Sequence, residues 1–171
     1  MHSSEINKKS NYQAHILMGN QSYAYQNKNR RGMVLLNNVL GGPALNSRLN
    51  LNIRERKGIA YNIESSYTPY SDAGFFSVYL GTDKKNIDKC IDLIHGELRK
   101  LREVKLGKVQ LSQAKQQLKG QISLSTENYV SQMLGMGKSY MVFGAIDGLD
   151  TTFKKIDAIT AEHIQDIANE V

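Results

Sequence analysis

The stretch Ile53-Arg54-Glu55-Arg56-Lys57-Gly58-Ile59-Ala60-Tyr61 changes period at its centre, and the fold is read outward from that change. Upstream, Leu49 and Ile53 lie four apart with Leu45 a turn further back, which predicts a helix from residue 46 or 47 to residue 57 with these three inward. Gly58 stands where a helix ends in the left-handed conformation. Downstream, Tyr61, Ile63, Ser65 and Tyr67 alternate, so residues 59–70 read as a strand, and Phe76, Val78 and Leu80 alternate on a second over 74–82. Ser71-Asp72-Ala73-Gly74 between them is turn chemistry, and two strands so joined make a β-hairpin.

Before this unit, Met33, Leu36, Asn37 and Leu40, widened by Val34 and Leu35, predict a helix of about four turns that Gly41-Gly42-Pro43 stops. Residues 12–19 become continuously apolar and read as a buried strand, in which His15 is a hydrogen-bonded sheet residue. After the hairpin, Thr82 or Asp83 is placed to cap a helix with Ile87, Cys90, Ile91, Ile94, Leu98 and Leu101 inward, which makes Cys90 a core residue with an inert thiol. Residues 108–140 read as two long helices or one bent near 125–128. Met133, Met136 and Met141 there are core or domain-contact residues. Shorter helices follow over 149–158 and, capped by Thr160, over 161–169. Residues 1–11 are polar and aperiodic, a leader or linker, which leaves 12–171 as a single domain.

With 171 residues and 40% hydrophobic side chains, one domain of this size buries roughly 70% of its unfolded surface and stands without staples. The single cysteine excludes an intramolecular disulfide, an iron–sulfur cluster and a Cys-based zinc site. The four histidines, His2, His15, His95 and His163, nowhere pair at a ligand spacing, so no metal site is expected in this chain. A net charge of +6 and a pI near 9.3 would suit an anionic partner. The basic clusters, however, are short, interleaved with Asn, Glu and Leu, and lack aromatic–basic alternation, so they read as solvated surface and no nucleic-acid partner is expected; a salt-dependent gel shift discriminates. No stretch approaches the ~20 apolar residues of a membrane-spanning helix, no membrane partner is expected, and the compartment stays open.

Few motifs of catalysis are present. Gly41-Gly42 ends a helix instead of opening one, and no phosphate-binding glycine loop occurs. Ser65-Ser66 lacks the strand–turn–helix context of a nucleophile, and neither H-E-x-x-H nor H-x-x-E-H is found. One constellation remains. Arg54 and Tyr61, seven residues apart, flank a single turn and can converge, and a guanidinium with a phenol in a cleft supplies donors to a peptide carbonyl or an oxyanion. A helix-end arginine and a strand tyrosine are equally ordinary as surface and packing residues, and both readings stand on the residues alone.

The run Leu-Gly-Gly-Pro-Ala-Leu-Asn-Ser-Arg-Leu at residues 40–49, the I-R-E-R-K-G-I-A-Y that follows, the hairpin ending Tyr70-Ser71-Asp72-Ala73-Gly74-Phe75-Phe76, the G-T-D-x-x-N-I-D at 81–88, the A-K-x-x-L-K-G at 114–120 and the I-D-A-I-T-A-E-H-I at 156–164 together resemble the C-terminal, metal-free domain of the pitrilysin/insulinase family of zinc peptidases, to which mitochondrial processing peptidase and small bacterial zinc proteases belong. The resemblance covers residues 12–171. It implies an α+β domain in which a curved antiparallel sheet is covered on one face by helices, a processing peptidase-like half. It further implies a zinc-dependent endopeptidase in which such a half and a zinc-binding H-x-x-E-H half, in cis or in trans, close over an unfolded peptide. Here the helix at the corresponding place reads Leu35-Leu36-Asn37-Asn38-Val39, with no ligand at the three key positions, so zinc is expected in the partner half and no cofactor in this one. The family's Arg and Tyr seven residues apart, which bind substrate and steady the tetrahedral intermediate, fall on Arg54 and Tyr61, and its glycine loop on Gly41 and Gly42 as substrate-binding positions. That loop is only Gly41-Gly42-Pro43-Ala44, so presequence-type recognition is not implied. A second copy of the chain is a further candidate partner. The alternative is a catalytically inactive structural or protein-interaction module of the same fold. Family domains continue past the last helix into another strand, which marks the chain as a fragment of a longer one.

Overall fold

The computed structural model describes residues 4–7 and 12–171, so the leader read at 1–11 lies largely outside the described residues, and its described part, 4–7, has no regular structure. Strand β1 (Gln13–Ser22) leads to helix α1 (Arg30–Gly41), then a helical segment ending in a π-wound turn (Asn50–Glu55), strands β2 (Ala60–Pro69) and β3 (Gly74–Asp83), a 3-10 turn (Lys84–Asn86), and helices α2 (Ile87–Glu103), α3 (Lys108–Ser125), α4 (Tyr129–Phe143), α5 (Leu149–Asp157) and α6 (Ala161–Glu170). The three strands form one antiparallel sheet in the order β1-β3-β2. Helices cover one face, giving the α+β architecture the family resemblance implied.

Alternation along the strands separates two faces. Ile16 and Met18 of β1, Ile63 and Ser65 of β2, and Phe76, Val78 and Leu80 of β3 turn toward the helices, where Leu35, Leu40, Leu49, Ile53, Ile94, Ile164 and Ile167 complete the core. The hairpin turn closes as read, with the Tyr70 amide donating to the Ala73 carbonyl at 2.7 Å. The opposite face of the sheet is open, and His15 lies on it, its Nδ1 2.7 Å from the Tyr79 hydroxyl, as the sheet reading of that histidine required. Cys90 is fully buried, and Thr160 caps α6 by accepting from the His163 amide at 3.1 Å.

Several expectations are corrected by packing. The strand at 12–19 is an edge strand and not a buried one: it pairs with β3 alone, and Leu17, 65% exposed, points to the open face. The helix after Gly42 closes with a π-type bond from the Arg56 amide to the Leu51 carbonyl at 3.0 Å. Leu49 and Ile53 face inward, whereas Leu45 is exposed. Neither Thr82 nor Asp83 caps α2. Thr82 is buried and gives its hydroxyl to the Ile59 carbonyl, Asp83 is engaged elsewhere, and the 3-10 turn intervenes. The bend near 125–128 separates two helices, with Asn128 capping α4 by accepting from the Ser131 amide at 2.9 Å. Helix α4 buries no residue: Met133, Met136 and Met141 are exposed, so they are not core residues of this chain. The helix is held near its end, where the Gln26 amide group donates to the Val142 carbonyl at 2.7 Å and Arg30 stacks on Phe143 at 4.8 Å.

The end of α1 meets β2 without a spacer. A Cβ on Gly41 would stand 2.6 Å from the Ser65 amide nitrogen, and one on Gly42 would stand 2.5 Å from Asn38 Oδ1. Gly41 therefore sets how closely the helix approaches the sheet, whereas Gly42 lets the chain leave α1 tightly over its own Asn38.

Candidate functional site

The turn that joins the π-wound segment to β2 carries both residues singled out above. Gly58, at φ +60°, reverses the chain, its amide donating to the Arg54 carbonyl at 3.0 Å. The Ile59 carbonyl, the next anchor, accepts from Thr82 and lies 3.9 Å from Cys90 Sγ, which fixes the strand start to the core. The ladder then slips: Ala60 opposes Thr82 while Asn62 opposes Gly81, leaving Tyr61 as the extra residue of a β-bulge. A bulge re-aims one side chain. It breaks the alternation read from Tyr61 to Tyr67, so that Ile63 and Ser65 are buried while Tyr61 is 55% exposed.

The Tyr61 hydroxyl donates to Asp83 Oδ1 at 2.8 Å, and this hydrogen bond, reinforced by the carboxylate's charge, raises the phenol above its ordinary pKa. The group is therefore a proton-bearing donor at neutral pH. Arg54, on the last turn before Gly58, gives a long hydrogen bond of 3.4 Å to Asn50 Oδ1, and its Nε lies 3.9 Å from Glu55 Oε1. Asn50 is in turn braced by Ser47, donating to its hydroxyl at 3.1 Å. Among the described residues no hydrogen bond joins Arg54 to Tyr61: each has its own partner, and Arg54 keeps donor capacity toward solvent while the single proton of Tyr61 is engaged by Asp83. Gly41 and Gly42, the two glycines expected at the substrate, are buried, Gly41 against Ser65 and Leu49 and Gly42 against Asn38.

Sequence reasoning missed Asp83, because G-T-D ahead of a helix reads as a cap. Only the register of β3 beside β2 shows that it faces the bulge. Glu97 was missed too, although a signal existed: Cys90, Ile94, Glu97 and Leu101 share the buried stripe of α2, with an acid at one of its positions.

The residues of α1 at the corresponding metal-ligand positions, Leu35, Asn38 and Val39, do not fit a zinc ion; Leu35 is fully buried against the core. Among the described residues, no three His, Cys, Asp or Glu side chains gather closely enough to hold a metal.

A helix-covered antiparallel sheet of this topology is the fold of a peptidase inactive domain. The chain belongs to the peptidase M16 inactive domain family, whose profile matches residues 2–118. It is 30% identical over 164 residues to an uncharacterised zinc protease, YmxG, of Bacillus subtilis, covering 96% of this chain and 40% of that protein. Among solved structures it is similar to a conserved protein from Enterococcus faecalis, with a TM-score of 0.81 and 25% identity over 94% of this chain and 37% of the other. It also shares its fold with a peptidase M16 inactive domain from Pseudomonas fluorescens, with a TM-score of 0.78 and 22% identity over 92% of this chain and 38% of that one. The chain thus spans about two fifths of the length of such relatives.

Proposed function

We propose that this chain is the substrate-supporting half of a zinc-dependent endopeptidase, acting on peptides or unfolded protein together with an H-x-x-E-H half that carries the metal. The observation that carries the reading is the turn at 54–61: it holds a guanidinium and a proton-bearing phenol at an exposed helix-to-strand junction. Membership in the inactive-domain family and relatives named zinc proteases support it.

The chemistry of this half is donation. A bound peptide presents a carbonyl oxygen whose negative charge grows as the carbonyl carbon becomes tetrahedral, and donors placed in advance stabilise that charge more than the ground state. Arg54, held by a long bond to Asn50 and a loose, exposed ion pair with Glu55, turns to such an oxygen at little cost. Tyr61 must exchange its bond to Asp83 for one to substrate, so Asp83 holds the phenol protonated and in place until substrate arrives. Zinc, held by the partner half, would supply the activation of the attacking water.

The test is hydrolysis of a peptide by the two-half assembly. Arg54→Ala or Tyr61→Phe lowers kcat/KM by roughly ten- to a thousand-fold, the scale of losing one oxyanion donor, with the fold intact by circular dichroism. Unchanged turnover in both variants refutes the proposal and favours a non-catalytic structural module of the same fold.

A further inference from the structure

Helix α4 turns its apolar side away from the protein. Tyr129, Met133, Met136 and Tyr140 recur at helical spacing, with Val130, Leu134 and Met141 beside them, which makes one stripe about half the helix circumference wide. These side chains are between 43% and 86% exposed. The other side of the helix meets the body: Ser139 and Val142 are half-buried, and Arg30 lies over the Phe143 ring. A helix on the surface of a monomer has the reverse polarity. The stripe leaves on the order of 900 Å² bare, more than the roughly 300–600 Å² of the largest patch on a typical monomer and close to the ~800 Å² that each partner gives to a stable interface.

The sheet carries a second bare surface. On its open face three successive rows run across β1, β3 and β2: Leu17–Tyr79–Glu64, Gly19–Ser77–Ser66 and Gln21–Phe75–Thr68. Phe75 lies across Gly19, where a Cβ would stand 2.6 Å from its ring, so it continues the apolar surface begun by the exposed Leu17. The polar groups at the centre answer one another. The Ser66 and Ser77 hydroxyls are 2.8 Å apart, and Tyr79 is bonded to His15, so covering them costs little desolvation. Glu64 is the one charge in these rows and Lys138 the one charge of α4, so no like charges would oppose each other across a contact between the two surfaces.

We propose that the chain forms a two-fold dimer in which the α4 stripe of each copy lies over the open sheet face of the other. A second copy brings both surfaces, so one pairing covers all four and closes on itself. A helix lying on a membrane would instead line its polar side with Lys and Arg, and α4 has Lys138 alone. The covered rows end before the bulge at Tyr61, and the dimer does not depend on the function proposed for the Arg54–Tyr61 turn.

The experiment is sedimentation velocity of the 171-residue chain from about 1 to 100 µM. At the upper end the parent has twice the 19.2 kDa mass of one chain, and it dissociates with a Kd at or below roughly 10 µM. Leu134→Glu with Met141→Glu on the helix, and Leu17→Lys on the sheet, each raise that Kd about ten-fold or more, because each buries a charge in the contact. Both keep the parent's circular dichroism, since the altered side chains are exposed in the single chain. In dilute solution, where the chain is monomeric, the helix substitutions leave its unfolding unchanged. Mixing the two variants restores one of the two contacts and gives a heterodimer tighter than either variant alone. A parent that stays monomeric at the upper concentration leaves these surfaces to a different protein or to the rest of a longer chain and overturns the proposal. Open-ended association overturns it too, as does Leu17→Lys dimerising like the parent, the mark of α4 pairing with α4.

Discussion

Replacing Gly41 with alanine tests the central contact of the fold, because two opposing effects can be weighed from the structure. Alanine raises helix propensity by up to about 1 kcal/mol, less at a helix end such as this one. Against this, the new Cβ would lie 2.6 Å from the Ser65 amide nitrogen, 2.8 Å from Ser65 Oγ and 2.9 Å from Leu49 Cδ1. Restoring an ordinary contact of 3.4 Å means moving α1 and β2 apart by about 0.8 Å. The nearest obstacle is strand backbone, which cannot rotate away. Overpacking of this kind costs about 1–3 kcal/mol, and the movement also strains the 3.2 Å bond from Ser65 Oγ to the Asn37 carbonyl, worth about 1 kcal/mol more. The clash wins, with a net loss of about 2–3 kcal/mol. In urea unfolding this lowers the midpoint by about 1 M or more at an m-value near 2 kcal/mol/M. Two controls isolate the cause. Gly120→Ala, within α3 with nothing near its Cβ, stabilises by about 0.5–1 kcal/mol. Gly58→Ala, equally free of neighbours but at φ +60°, costs about 1–2 kcal/mol through backbone strain alone. If Gly41→Ala stabilises as Gly120→Ala does, the close seat of α1 on β2 is wrong.

Further predictions concern pH and α4. Tyr23 and Tyr67 are both raised to about 12, chiefly by burial, so between the unfolded value near 10 and the folded value the native state holds more protons than the unfolded one. Stability from these groups is complete below about pH 10 and falls as pH rises through 12, which urea midpoints at pH 9, 10 and 11 read out. Tyr67→Phe weakens that dependence; an unchanged alkaline slope would contradict the assignment. Met133→Gln and Met141→Gln each change the stability of this chain by less than about 0.5 kcal/mol, because α4 buries neither side chain. A loss above 2 kcal/mol in either would place α4 in the core after all.

Much of this architecture was legible in the residues. Hydrophobic period located the helices around Met33–Leu40 and Cys90–Leu101 and the hairpin across Ser71–Gly74, because burial of one face is a local demand that each element writes into its own spacing. Thr160 and Gly58 were readable for the same reason, since caps act within one turn. Leu17 and the methionines of α4 misled because an apolar side chain records a tendency to be covered but not what covers it.

The candidate site was legible by halves. Arg54 and Tyr61 could be named from their places on either side of a glycine, and the family resemblance gave them a role. That Tyr61 leaves the alternation of β2 through a bulge, and that Asp83 holds its hydroxyl, follows from the register between two strands, a property of the pair that neither strand states alone.

By itself, then, the sequence determined the order of the elements, the lack of ligands at Leu35, Asn38 and Val39, and the turn on which an arginine and a tyrosine stand together. Only the tertiary structure decided which faces were covered and which carboxylate the phenol would meet. Local pattern is set by neighbours within a turn or a strand, whereas these groups lie on different elements and are brought together by long-range packing.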